Sequence, residues 1–227
     1  MIKKLCHIAL GLLILALPLL SCVSVSASSN PNFYAIGLDY KAYDELATLT
    51  GKIATVHFES DKGGIGGIEQ DIRIKTEEGD LLVEITNWYY GGYAGLTYGV
   101  GIVVYKDNQY WFGKRVSSQM GETYKYKVTI DNGIVYATIW DSQGQIMVHK
   151  DFGDNAQYIE HTASYIEYWR YDEPGSFFYY GYVTIDNTEQ LQYRDDFYHK
   201  AKGLPFGFFL IHRNWGGITD KGEIDDR

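Results

Sequence analysis

Between Tyr124 and Trp140 the side chains spell out a β-hairpin. Tyr124-Lys125-Tyr126-Lys127-Val128-Thr129-Ile130 alternates large apolar and polar residues, the period of two that puts one set on a buried face and the other in water. Asn132-Gly133 follows, a pair that accepts positive φ at both central residues of a type I′ turn. Similar short strands are expected at 52–58, 68–75, 81–88, 98–105, 109–114, 134–140, 146–150, 163–171 and 177–185, with a last one near 207–213. Ser142-Gln143-Gly144 marks another tight turn. No segment of 68–185 carries a long helical period and no internal repeat is visible, so one all-β antiparallel sandwich or jelly roll is expected.

Outside this pattern the chain is less regular. Tyr43-Asp44-Glu45-Leu46 reads as a helical turn, 61–67 as a glycine-rich connection and 218–227 as a polar, acidic tail. Gly63-Gly64-Ile65-Gly66-Gly67 lacks the strand-before, helix-after setting of a phosphate cradle. The organisation expected is a leader over 1–27, a linker with the first elements over 28–50, the sandwich over 51–215 and the tail over 216–227. The leader begins with Lys3 and Lys4, continues through an apolar run from Ile8 to Leu20 and ends in small residues. That is the pattern of a secretory signal peptide, too short for a comfortable transmembrane span. Val25-Ser26-Ala27 suits ordinary cleavage. Leu19-Leu20-Ser21-Cys22 resembles a lipobox, so lipid anchoring through Cys22 is the alternative to release.

Charge and cysteine content exclude several classes. The formal net charge is −9, and losing a leader with two lysines and no acid makes it two units more negative. Nucleic acid needs a basic footprint, and none is present. The two cysteines, Cys6 and Cys22, fall in the leader region, which leaves no disulfide, structural zinc or iron–sulfur site for the domain. The histidines show no paired spacing, so no cofactor is expected. Structural calcium is the alternative, on oxygen-rich turns at 151–155 and Asp186-Asn187.

Aromatic residues, twenty-one of them tyrosines and five tryptophans, gather on the expected strands. In Ala163-Ser164-Tyr165-Ile166-Glu167-Tyr168-Trp169-Arg170-Tyr171, Glu167 shares a face with Tyr165, Trp169 and Tyr171. A carboxylate in line with large aromatics suits a ligand groove or an acid with a raised pKa. Glu84 shares its face with Leu82, Thr86 and Trp88 in an otherwise apolar strand, where an acid must be paired, protonated or at a groove. Glu69 and Asp71 lie on one face of their strand with Arg73 next in line, and the arginine is expected to hold its neighbouring acid down as an ion pair.

The order of these segments resembles the glutamic peptidases (eqolisins) within the concanavalin-like lectin and glucanase superfamily. The likeness runs from about Gly67 to Ile185: the apolar strand carrying Glu84, the Gly121–Ile130 stretch Gly-Glu-Thr-Tyr-Lys-Tyr-Lys-Val-Thr-Ile with its Asn132-Gly133 hairpin, and Ile159-Glu160-His161-Thr162-Ala163-Ser164-Tyr165-Ile166. The resemblance implies a concanavalin-like double-sheet fold. It places Glu84 at the family's catalytic glutamine and Ser164 at its glutamate, with Glu160 and Glu167 as the nearest acids. Glu69-x-Asp71 also resembles the acid-x-acid series of retaining glucanases, with Arg73 in the third place.

The first functional expectation is therefore an extracellular binding domain for a polymer, glycan or peptide, using Trp88, Tyr90, Trp111, Tyr165 and Trp169. The alternatives are an acid hydrolase using Glu84 with Glu160 or Glu167, and a glycoside hydrolase using Glu69 and Asp71.

Overall fold

In the computed structural model, residues 32–60, 64–91, 97–153, 155–170, 176–200, 208–214 and 217–225 are described. The leader and Cys22 lie outside the described residues. The alternating segments form two antiparallel sheets of seven strands each. In chain order the strands are β1 (Asn32–Leu46), β2 (Thr48–Ser60), β3 (Gly64–Thr76), β4 (Asp80–Gly91), β5 (Thr97–Lys106), β6 (Gln109–Val116) and β7 (Tyr124–Asp131). They continue with β8 (Ile134–Trp140), β9 (Ile146–Gly153), β10 (Ala156–Arg170), β11 (Ser176–Ile185), β12 (Leu191–Lys200), β13 (Phe208–Asn214) and β14 (Gly217–Asp225). The first sheet runs β12-β1-β10-β3-β4-β5-β6, and the second runs β13-β14-β11-β2-β7-β8-β9. The fold is an all-β sandwich.

The core follows from side-chain alternation. Ile68, Ile72 and Ile74 of β3, Leu81, Val83 and Ile85 of β4, and Val100, Ile102 and Val104 of β5 are buried on the inner face of the first sheet. Opposite them lie Leu49, Ile53 and Phe58 of β2 and Tyr124, Tyr126 and Val128 of β7. Lys125 and Lys127 stay exposed between the two tyrosines and Val128, as the hairpin pattern predicts. Asn132 and Gly133 both take positive φ, at 50° and 78°, in the turn between β7 and β8. Asp107-Asn108 builds the same kind of turn between β5 and β6 without glycine.

Tertiary pairing overrides local composition at four places. Tyr43–Leu46 forms the end of β1 rather than a helical turn, with Leu38, Tyr40, Ala42 and Leu46 buried in the core. Gly64–Gly67 is not a loop; β3 begins there, hydrogen-bonded on both sides to β10 and β4. The acidic segment 217–225 is β14, paired with β11 and β13. β12 is polar along most of its length and sits at the sheet edge, where sequence periodicity gives little signal.

One polar side chain breaks the apolar inner layer. Gln70 points inward from β3 and is fully buried. Its amide donates to the Thr162 hydroxyl and, at 3.0 Å, to the Ala163 carbonyl. Its carbonyl oxygen accepts from Ser164 Oγ at 2.5 Å and from Tyr126 Oη at 3.3 Å. Tyr126 shares its one proton between this oxygen and the nearer Thr184 carbonyl at 2.9 Å, so the network joins both sheets. Gln70→Leu should destabilise the protein by about 2–4 kcal/mol, since buried hydroxyls lose their partners. Chemical denaturation checks this, and a change below about 0.5 kcal/mol would show that the network contributes little.

Candidate active site

With Gln70 turned inward, its neighbours Glu69 and Asp71 must turn outward. On β10 the same alternation turns Ser164 inward and Tyr165 outward. Tyr165 lies directly across from Glu69, and Glu84 on β4 lies directly across from Asp71. Carboxylate oxygens of Glu69, Asp71 and Glu84 therefore come within 4.8 Å of one another. The Tyr165 hydroxyl bridges two of them, 2.7 Å from Glu69 Oε2 and 3.1 Å from Asp71 Oδ1. A phenol has one proton to donate. A further proton on one of the carboxyls completes the set of hydrogen bonds.

Close approach of the backbone makes room for this phenol. Gly37 of β1 pairs with Tyr165, and a Cβ at Gly37 would lie 2.3 Å from the Tyr165 Cβ and from the Ser164 carbonyl oxygen. Any larger residue there would push β1 off β10 beside the site. From the other side Arg115 of β6 reaches over the sheet. Its Nε donates to Thr86 Oγ1 at 3.4 Å and its guanidinium stands 5.2 Å from the centre of the Trp88 ring.

Burial governs the protonation of the acids. Glu69 is 2% exposed, and desolvation lifts its pKa to about 7, against the opposing pull of the Tyr165 hydroxyl, the Arg115 charge and the Trp88 indole. Asp71 is raised well above the usual carboxylate range, by burial first and then by the negative charge of Glu69. The expected ion pair with Arg73 does not decide its state: Arg73 is exposed, and its charge is outweighed by burial. The Tyr105 hydroxyl is also pushed up, by burial and then by Glu84 and the other two acids, which places it beside the cluster. The site thus holds protons on carboxyl groups at pH values where exposed acids are ionised. The same three carboxylates are the donor set, among the described residues, that could hold a hard cation.

Other expected site residues fall elsewhere. A β-bulge between Ile159 and His161 takes Glu160 off the parity of Ser164 and into a separate pocket with Asp39, Lys41, Arg73, His161 and Arg194. Ser164 is inside the sandwich, so the position expected for a catalytic glutamate faces Gln70 rather than the site. Trp111 is 48% exposed and packs on Phe152 where the edge strands β6 and β9 meet, away from the acids. Glu167 and Trp169 follow Tyr165 on β10, and Tyr90 pairs with Ile65 and Thr97; their side chains lie outside the described residues. Of the expected residues, Glu84, Trp88 and Tyr165 meet Glu69 and Asp71 in one place. Tyr105 and Arg115 were not anticipated, and outward parity on their strands is the signal that could have found them. The oxygen-rich turn at Asp186-Asn187 serves the backbone and its neighbours: Asp186 accepts from Thr50 Oγ1 and Asn187 donates to the Thr48 carbonyl.

Raised carboxyl pKa values tie stability to pH with a definite sign. The folded protein binds a proton on Glu69 that the unfolded chain releases near the ordinary value of 4.5. Glu69 therefore favours folding below that pH and loses this contribution as pH rises to about 7. Glu69→Gln should leave stability near pH 4 almost unchanged and raise it by roughly 2–3 kcal/mol at pH 8. Thermal unfolding across this range checks it, and parallel pH profiles for the two proteins would contradict it.

The chain matches no protein-family model and no curated protein. Among solved structures it is similar to Scytalido-glutamic peptidase with a peptide-based transition-state analogue, at 12% identity over 85% of this chain and 98% of that one, TM-score 0.45. It is similar to SCP-B, a member of the eqolisin family of peptidases, in complex with the tripeptide Ala-Ile-His, at 12% identity over the same shares, TM-score 0.48. A third similar structure is the CBM2 module of the evolved Dit of Lactobacillus casei BL23 phage J-1, at 8% identity over 60% of this chain and 64% of that one, TM-score 0.32. At these identities and TM-scores the likeness decides neither family nor activity.

Proposed function

We propose that the chain is an exported hydrolase of polypeptides, with Glu69 and Asp71 as its working carboxyl pair. The observation that carries this reading is the single phenol, Tyr165, bridging the buried Glu69 and the half-buried Asp71 carboxyl, whose pKa values are both raised. Such a pair holds one proton while the second group is ionised. The ionised carboxylate takes a proton from water as the water oxygen attacks a peptide carbonyl carbon. The protonated partner hydrogen-bonds the carbonyl oxygen as negative charge develops there. Collapse of the tetrahedral intermediate breaks the C–N bond, and the carboxyl group that received the water proton passes it to the leaving amine.

Charge on the reacting centre separates peptide from glycan. A glycosidic bond breaks through a cationic, oxocarbenium-like transition state. Acyl transfer breaks through an oxyanion, which cations and hydrogen-bond donors stabilise. Here Arg115 and the Tyr165 hydroxyl stand beside the acids, which favours the oxyanion. The reading as a pure binding domain accounts for Trp88 and Tyr165 but gives no role to acids whose burial costs stability near neutral pH.

The test uses the protein released from its leader, incubated with denatured haemoglobin from pH 3 to pH 8. Cleavage should be slight on the acid side, where both carboxyls are protonated, and rise as pH passes about 7, where Glu69 ionises beside the still protonated Asp71. Glu69→Gln and Asp71→Asn should each lower kcat by about 10²-fold or more. EDTA should leave the rate unchanged; its loss would make the acid trio a cation site. Hydrolysis of β-glucan in place of protein would establish the glycosidase reading. Retention on a polymer without any hydrolysis would establish the binding domain.

A further inference from the structure

A second polar feature lies on the same outer face, next to the carboxyl pair. Asp39, Lys41, Arg73, Glu160, His161 and Arg194 line a pocket of about 410 Å³. Its position follows from strand register. Ala163 pairs with both Asp39 and Asp71, and one step along, His161 pairs with both Lys41 and Arg73. The pocket therefore begins two residues along β3 from Asp71, roughly 7 Å away, which is also the length of two residues of an extended peptide.

Its charges are unequally matched. Asp39 is already engaged, by a close contact with His161 Nε2 and by Arg194 Nη1 at 3.7 Å. Glu160 has Lys75 as a cationic neighbour. Among the described residues, neither Lys41 nor Arg73 closes an ion pair within the pocket. Among the described residues Lys41 is thus a cation outside any ion pair, and Arg73 has only the longer-range pull on Asp71, one substrate step from the acids of a chain whose formal net charge is −9.

We infer that this pocket is a subsite for a carboxylate of the polypeptide substrate, two residues from the bond that the acid pair cleaves. The carboxylate comes either from an acidic side chain or from the chain terminus, and Lys41 and Arg73 receive it. This rests on the hydrolase reading, but the subsite has a binding test of its own.

Internally quenched peptides differing only by Glu or Gln at one position, each with a free or an amidated C-terminus, are incubated with the protein at pH 7.5. At one position Glu should raise kcat/KM about fivefold to tenfold over Gln, the range of a partly solvated charge-assisted contact. Preference for the free C-terminus instead would assign the pocket to the chain terminus. Lys41→Glu should abolish or reverse the preference. The same peptides are then titrated by fluorescence anisotropy into Glu69→Gln, alone and combined with Lys41→Glu. Tighter binding of the anionic peptide, lost on adding Lys41→Glu, supports the subsite even if no peptide is cleaved, an outcome that would refute the hydrolase alone. Equal binding of charged and uncharged peptides, or a preference that survives Lys41→Glu, overturns the subsite and leaves the acid pair standing.

Discussion

A glutamine inside the sandwich sets the geometry of everything on its surface. Gln70 satisfies its amide by meeting Thr162, Ser164 and Ala163 of β10 and Tyr126 of the other sheet. That requirement fixes the register of β3 against β10 more tightly than apolar packing alone, because a slip of one residue would turn Glu69 or Asp71 into the apolar core and break these hydrogen bonds. With Gln70 inward, Glu69 and Asp71 face outward on either side of it, and Tyr165 stands opposite Glu69. The bridge between phenol and acids on the outer face is the other side of the amide network within.

The outer face also carries a thermodynamic load. Two carboxyls lifted by burial, one of them lifted further by the charge of the other, oppose folding as pH rises. A binding surface has no need of this, since an exposed acid would bind as well and cost less. A proton held between two carboxyls is what hydrolysis of an amide requires, and the energy spent on burial becomes intelligible in that light. Arg115 from the edge strand and the absent side chain at Gly37 complete the surroundings, one by charge and the other by space.

Much of this arrangement can be read from alternation. Tyr124–Ile130 shows its two faces in the sequence, Asn132-Gly133 shows its turn, and the outward positions of Glu69, Asp71, Glu84, Trp88 and Tyr165 follow from counting by twos. Cross-strand position does not follow. Nothing local says that Tyr165 meets Glu69, or that Arg115 from β6 reaches Trp88, because those pairings depend on strand order across the sheet. Counting also fails at bulges: the irregularity after Ile159 carries Glu160 away from the parity expected of it. Composition misleads at 64–67 and 217–225, where glycine and acidic residues form strands because neighbouring strands supply their hydrogen bonds. Arg73 looked like the partner of Asp71, but a sequence does not show how deeply an acid is buried, and burial decides its charge.

The account stands most directly on the protonation of Glu69. Carbon-13 labelling of glutamate side chains, with carboxyl shifts followed by NMR from pH 3 to pH 9, would read it without any substrate. Glu69 should titrate with a midpoint near 7, and Asp71, with aspartate labelled likewise, should have its midpoint lowered in Glu69→Gln, where its charged neighbour is gone. A Glu69 midpoint near the ordinary 4.5, with an Asp71 midpoint unmoved by Glu69→Gln, would mean that the two acids share no proton and that the carboxyl pair is not the working centre of this protein.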